Sequence, residues 1–121
     1  MADYKNLEAW KHSMQLVKEI YTLTKTFPRE EIYALSSQLK RAAVSVPSNI
    51  AEGCGRNYKK DTIQFLHIAR GSLYETETQV EIAVMNNFIQ ENDLISLTTT
   101  ITTCMKTLNG LINYYEKSAL K

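Results

Sequence analysis

Leu94, Leu97, Ile101, Cys104, Leu108, Leu111 and Tyr115 recur at alternating intervals of three and four residues. An α-helix turns once in ~3.6 residues, so all of them fall on one face. The threonine-rich part of the run also has strand propensity, but the spacing is that of a helix. The segment from about Asp93 to Lys117 is therefore a predicted helix, with Asn92 or Asp93 as its cap. Its flanks are rich in threonine, a poor helix former, so packing must hold it.

Three further stretches carry the same signature. The first runs from about Leu7 to Phe27, capped by Asn6, with a stripe of Leu7, Trp10, Met14, Val17, Tyr21 and Thr24. The second runs from about Glu30 to Gly53, with Ile32, Leu35, Leu39, Ala42, Val46 and Ile50 in phase. Pro47 lies inside it; because the stripe continues through Ile50, a kinked helix is expected rather than two helices. Gly53-Cys54-Gly55 offers a left-handed cap. The third runs from about Tyr58 to Phe88, capped by Asn57, with Leu66, Ala69, Leu73, Val80 and Val84 as its stripe. Gly71 in its middle predicts close approach of another backbone. The 121 residues hold only four glycines and two prolines, too few breakers for an all-β fold. Short connections make neighbours antiparallel, so the expected architecture is all-α: one domain over residues 1–121, an up-down-up-down four-helix bundle.

Composition excludes several function classes. Lys and Arg number 14 against 13 Asp and Glu, a net charge of +1, unlike a strongly basic nucleic-acid module. The distribution is uneven. Residues 40–70 carry six basic and two acidic groups, net +4, whereas residues 71–121 carry three basic and six acidic groups, net −3. Neither His67 nor His12 has the glutamate three residues earlier that a bundle di-iron centre needs, and the two cysteines lack zinc spacing. No metal or cofactor is expected. Gly53-Cys54-Gly55 follows no strand and precedes no Gly-Lys-Ser/Thr, so neither dinucleotide nor P-loop readings apply. Cys54 beside Arg56 has no nearby histidine to act as base, so no catalytic residue is assigned and the chain is not read as an enzyme. No stretch is apolar enough for a signal peptide or membrane span, which makes a soluble, cytoplasmic protein with free thiols the expectation.

The informative feature is polar. Arg41, Ser45, Ser48, Glu52 and Arg56 share a face of helix two, flanked by Asn49; His67, Arg70, Tyr74, Glu77 and Glu81 share a face of helix three. Three readings stand beside one another. The stripes could form interhelix ion pairs, such as Arg41 with Glu75 or Glu77. They could form a subunit interface, where arginine is enriched. Or Arg41, Arg56, Lys59 and Lys60 could contact phosphates.

Leu35-x-x-Gln38-Leu39-x-Arg41-Ala42-Ala43-x-Ser45-x-Pro47-x-Asn49-Ile50-Ala51-Glu52-Gly53-x-x-Arg56 resembles the hallmark segment of the four-helix-bundle proteins encoded in intervening sequences of bacterial 23S rRNA genes, some of which carry a ribosomal-protein label. Phe65-Leu66-x-x-Ala69-Arg70-Gly71-Ser72-Leu73-x-Glu75-x-Glu77 is similar to that family's second hallmark. The resemblance implies a non-enzymatic bundle that assembles as a ring, with a pentamer suspected. It also implies kinship with accessory subunits of diversity-generating retroelements, which bind reverse transcriptase and nucleic acid. On this reading Arg41, Arg56, Lys59, Lys60 and Arg70 contact structured RNA. Arg41, Asn49, Glu52, Glu75 and Glu77 serve the subunit interface or the interhelix contacts. The alternative is a protein-interaction adaptor, such as a reverse-transcriptase accessory subunit, with no direct role for RNA.

Overall fold

The computed structural model describes residues 3–118. They form α1 (Glu8–Thr24), α2 (Leu35–Cys54), α3 (Lys59–Met85) and α4 (Glu91–Lys117), with single 3-10 turns at Tyr4–Asn6 and Arg29–Glu31. Among the described residues there is no strand. Each helix packs on its sequence neighbours and α1 closes against α4, while α1 and α3 lie across a diagonal, with no Cα pair within 8 Å. Gly53 meets Thr62 and Ser45 meets Ser72, so α2 and α3 run in opposite directions. Lys59 meets Ser118 and Arg70 meets Asn109, so α3 and α4 do too.

The core runs down the axis. Leu16 and Ile20 of α1, Leu39 and Ile50 of α2, Leu66 and Leu73 of α3, and Leu97 and Leu108 of α4 are all buried. Each such side chain contributes about 1.5–3 kcal/mol by leaving water. The stripes expected for α2, from Leu35 to Ile50, and for α3, from Leu66 to Val80, point inward, as does that of α4 from Leu97 to Leu108. In α1 the expected stripe is rotated. Met14 and Tyr21 are exposed, and the buried set is Ala9, Ser13, Leu16, Ile20, Leu23 and Thr24, of which only Thr24 belongs to the expected stripe. Two registers with the same spacing overlap there, and the larger residues of the first, Trp10 and Tyr21, sit at the rim.

Helix boundaries shift where side-chain caps were expected. Asn6 lies in the first 3-10 turn, capped by the Asp3 carboxylate, and Leu7, Tyr58 and Gln90 stand at the N-caps of α1, α3 and α4 without side-chain hydrogen bonds. Helix α2 starts at Leu35, whose N–H donates to Glu31 Oε1 at 3.2 Å. That carboxylate caps from the preceding 3-10 turn, which leaves Ile32 outside the helix and exposed. Helix α2 then runs unbroken through Pro47. The missing proline N–H removes one backbone bond. Ser48 Oγ donates to the Val44 carbonyl at 2.8 Å and Asn49 Nδ2 to that of Ser45 at 2.8 Å, both within the turn that the proline loosens.

The glycines exchange the roles expected of them. Gly53 is a helical residue without positive φ, so the left-handed cap is absent. It is the site of close approach instead: a Cβ there would lie 2.9 Å from Phe65 Cβ and 3.1 Å from the Thr62 carbonyl oxygen. Gly71 is exposed, and a Cβ there would meet nothing within 4 Å. No other part of the chain takes advantage of it, although glycine in mid-helix costs about 1 kcal/mol relative to alanine. The left-handed residue is Asn87, at φ 62°. It ends α3 in a Schellman motif, with Phe88 N–H donating to the Ala83 carbonyl at 2.9 Å and Asn87 N–H to that of Val84 at 3.0 Å. Phe88 then stacks on Phe27, tying the two connections at that end of the bundle.

Candidate nucleic-acid interface

The α2–α3 connection brings Arg56, Tyr58, Lys59 and Lys60 to one end of the bundle. Its shape follows from Gly53. With no Cβ, α2 comes close enough to α3 for Thr62 Oγ1 to donate to the buried Gly53 carbonyl at 2.8 Å. Phe65 lies at the same contact, and the Arg56 guanidinium stacks over its ring at 4.5 Å. Arg56 Nη2 also donates to Glu52 Oε2 at 2.7 Å, one turn back on α2. That pair is exposed on both sides, so water and salt screen it. Lys59 Nζ donates to the Ser118 carbonyl at 2.8 Å, joining the start of α3 to the end of α4. Lys60 and Tyr58 are exposed.

The remaining expected site residues lie elsewhere. Arg70 is ten residues beyond Lys60 along α3, a rise of ~15 Å. It faces α4, with Nη1 donating to Asn109 Oδ1 at 2.9 Å and Nη2 3.4 Å from His67 Nδ1. His67 Nε2 in turn lies 3.4 Å from Glu116 Oε2, so this histidine has partners that no sequence spacing revealed. Arg41 is on the other side of α3. It is exposed beside a depression that it shares with Gln38, Ser45, Glu75 and Gln79. Among the described residues it forms no ion pair with Glu75 or Glu77, so the expected interhelix pairing is absent. No Arg41 nitrogen comes within 4.0 Å of a Glu75 or Glu77 carboxylate oxygen, and the buried Gln79 Oε1, which lines the same depression, has no hydrogen-bond partner. Asn49 bonds within α2, to Ser45, and Glu52 accepts from Arg56 in the connection that follows. Beside them the interhelix bond is between hydroxyls, Ser72 Oγ donating to Ser45 Oγ at 2.9 Å, in the same seam as the Thr62–Gly53 bond.

The thiols are set against reactivity. Burial pushes the Cys54 thiol up from its ordinary value, and a hydrogen bond with Tyr115 offsets this only in part. Burial, reinforced by the nearby Glu19 carboxylate, pushes Cys104 up to about 12. Nucleophilic cysteines need the opposite shift. Among the described residues no three His, Cys, Asp or Glu side chains gather as metal ligands, and no helix is long and apolar enough to cross a membrane. Sequence spacing also missed Glu19, which accepts from Thr100 Oγ1 at 2.6 Å and from Gln15 Nε2 at 3.0 Å, joining α1 to α4.

These features define an all-α four-helix bundle with polar seams and a basic turn at one end. The chain belongs to the 23S rRNA-intervening sequence protein family, whose profile matches residues 5–110. This agrees with the resemblance carried by the Leu35–Arg56 segment. The fold is similar to a crystal structure of a protein with unknown function from the S23 ribosomal protein family of Bacteroides thetaiotaomicron VPI-5482. The likeness has a TM-score of 0.79 at 25% identity, covering 86% of this chain and 97% of that one. No curated protein matches the chain. Neither the family nor the structural neighbour indicates an enzymatic activity.

Proposed function

We propose that this protein is a non-enzymatic, homo-oligomeric bundle of the cytoplasm that contacts structured RNA through the basic α2–α3 turn. The observation that carries the reading is the placement of Arg56, Lys59 and Lys60 within five residues at one exposed end. Membership of the 23S rRNA-intervening sequence protein family supports it. Lys60, exposed at the first turn of α3, is the leading phosphate contact. Arg56 can exchange its screened bond to Glu52 for a phosphate while its plane stays stacked on Phe65. Arg70 and Arg41 lie well away on opposite edges of α3, so they act, if an RNA reaches them, as outlying contacts.

The test is binding to a structured ribosomal RNA hairpin across a salt series. Each phosphate neutralised contributes roughly 0.7–0.9 to the log-log slope. The triple variant Arg56→Ala, Lys59→Ala, Lys60→Ala should therefore flatten the slope by about 2. An unchanged slope removes this site.

A second reading, a protein-interaction adaptor such as a reverse-transcriptase accessory subunit, is favoured by one observation. Arg56 and Lys59 already have partners, in Glu52 and Ser118. It predicts no RNA binding even at low salt. A ring, with a pentamer the suspected form, is common to both readings.

A further inference from the structure

Ile68, Gly71, Glu75, Thr78, Ile82 and Met85 recur along α3 at alternating intervals of three and four residues, and every one is exposed. This is the face directly opposite the buried stripe. An outward helix face in a monomeric bundle is ordinarily polar. This one carries three large apolar side chains, with Met85 78% exposed, and the glycine for which the subunit has no use. Beside the stripe, Glu77 and Glu81 are exposed, and among the described residues neither they nor Glu75 form an ion pair.

Across the diagonal, α1 shows a complementary face. Lys11, Met14, Lys18, Tyr21 and Lys25 recur at the same intervals and are all exposed. Lys18 and Lys25 are likewise without ion pairs. One face is apolar and acidic with a gap at Gly71; the other is apolar and basic. Within the subunit the two helices have no Cα pair within 8 Å, and these faces lie on opposite sides of it.

We infer that the outward face of α3 around Gly71 is covered by the outward face of α1 from a second copy of this chain. The inference rests on the homo-oligomeric reading and adds the surfaces. Because the two faces differ, the contact is head-to-tail, and repetition closes a ring where the rotation permits. Gly71 lets the partner helix approach, Ile68, Ile82 and Met85 meet Met14 and Tyr21, and the lysines meet the glutamates. Opposite charges steer this register and disfavour α3 on α3.

The test is the solution mass of the full chain by light scattering, with helicity followed by circular dichroism. The wild type should exceed the single-chain mass of 13.8 kDa. Gly71→Arg should fall towards that mass with its helicity retained, since a Cβ at this exposed position meets nothing within 4 Å among the described residues. Lys18→Glu should weaken association by about thirtyfold or more, the loss expected at the centre of an interface. A variant with Lys11, Lys18 and Lys25 changed to Glu, and another with Glu75, Glu77 and Glu81 changed to Lys, should each dissociate and, when mixed, re-associate by alternating, into mixed dimers, open chains or even-numbered rings. A monomeric wild type overturns both the homo-oligomeric reading and this inference. An oligomeric wild type whose mass survives Gly71→Arg and Lys18→Glu overturns the α1–α3 assignment alone. Should Gly71→Arg lose helicity, the charge-swapped pair decides: re-association on mixing supports the assignment, and failure to re-associate overturns it.

Discussion

The two seams of α3 are built on different physics. Towards α2 the contact is made by small residues, with Gly53, Thr62, Ser45 and Ser72 joined by short hydroxyl bonds. Towards α4 the contact includes long, partly exposed side chains: Lys59 to Ser118, His67 to Glu116 and Arg70 to Asn109. The first seam sets a backbone distance and cannot take added volume, because interiors are packed to crystal density. The second bridges a distance with flexible groups in water, so its bonds can be lost one at a time at little cost. The candidate RNA contacts sit where the rigid seam ends, which gives Arg56 and Lys60 a fixed base.

Substitutions at the two seams can break that contrast. Gly53→Ala should have the largest effect. Alanine in a helix ordinarily gains about 1 kcal/mol over glycine, but here overpacking against Phe65 and Thr62 should cost about 1–3 kcal/mol. A thermal melt that rises on this change would show that the seam is loose. Thr62→Val comes next: the Gly53 carbonyl keeps the Arg56 N–H but loses the Thr62 hydroxyl, for a loss of about 1–1.5 kcal/mol by urea unfolding. Ser72→Ala removes one half-buried hydroxyl bond and should cost roughly 1 kcal/mol. Arg70→Ala, on the other seam, removes a part-exposed bond to a neutral amide and should cost less than about 1 kcal/mol. If Arg70→Ala proved costlier than Thr62→Val, the contrast between the seams would be wrong.

Much of this was legible beforehand. The α4 rhythm, the continuity of α2 through Pro47 and the cores of α2 and α3 follow from spacing alone, because burial repeats with the helix turn. The exchange between Gly53 and Gly71 also left a trace. Gly53 continues the phase of Val46 and Ile50, whereas Gly71 falls outside the phase of Leu66, Ala69 and Leu73. Phase, rather than position in mid-helix, tells which glycine faces a neighbour. The caps were less legible: Asn6, Asn57 and Asn92 lie one or two residues from N-caps that make no side-chain bond, and Glu31 reaches Leu35 of α2 from outside the helix. Of the site, the cluster at Arg56, Lys59 and Lys60 could be read as adjacent in sequence. The partners of Arg56, Lys59 and Arg70 could not, because Phe65, Ser118 and Asn109 lie on other elements.

The sequence by itself determined the class, the number of helices, most of the core and the family, since each rests on local periodicity or on a contiguous motif. Tertiary structure decided which face of α1 is inside, which glycine is crowded and which cations already have partners. Those depend on the neighbour that each side chain meets, and periodicity describes a helix without saying what stands beside it.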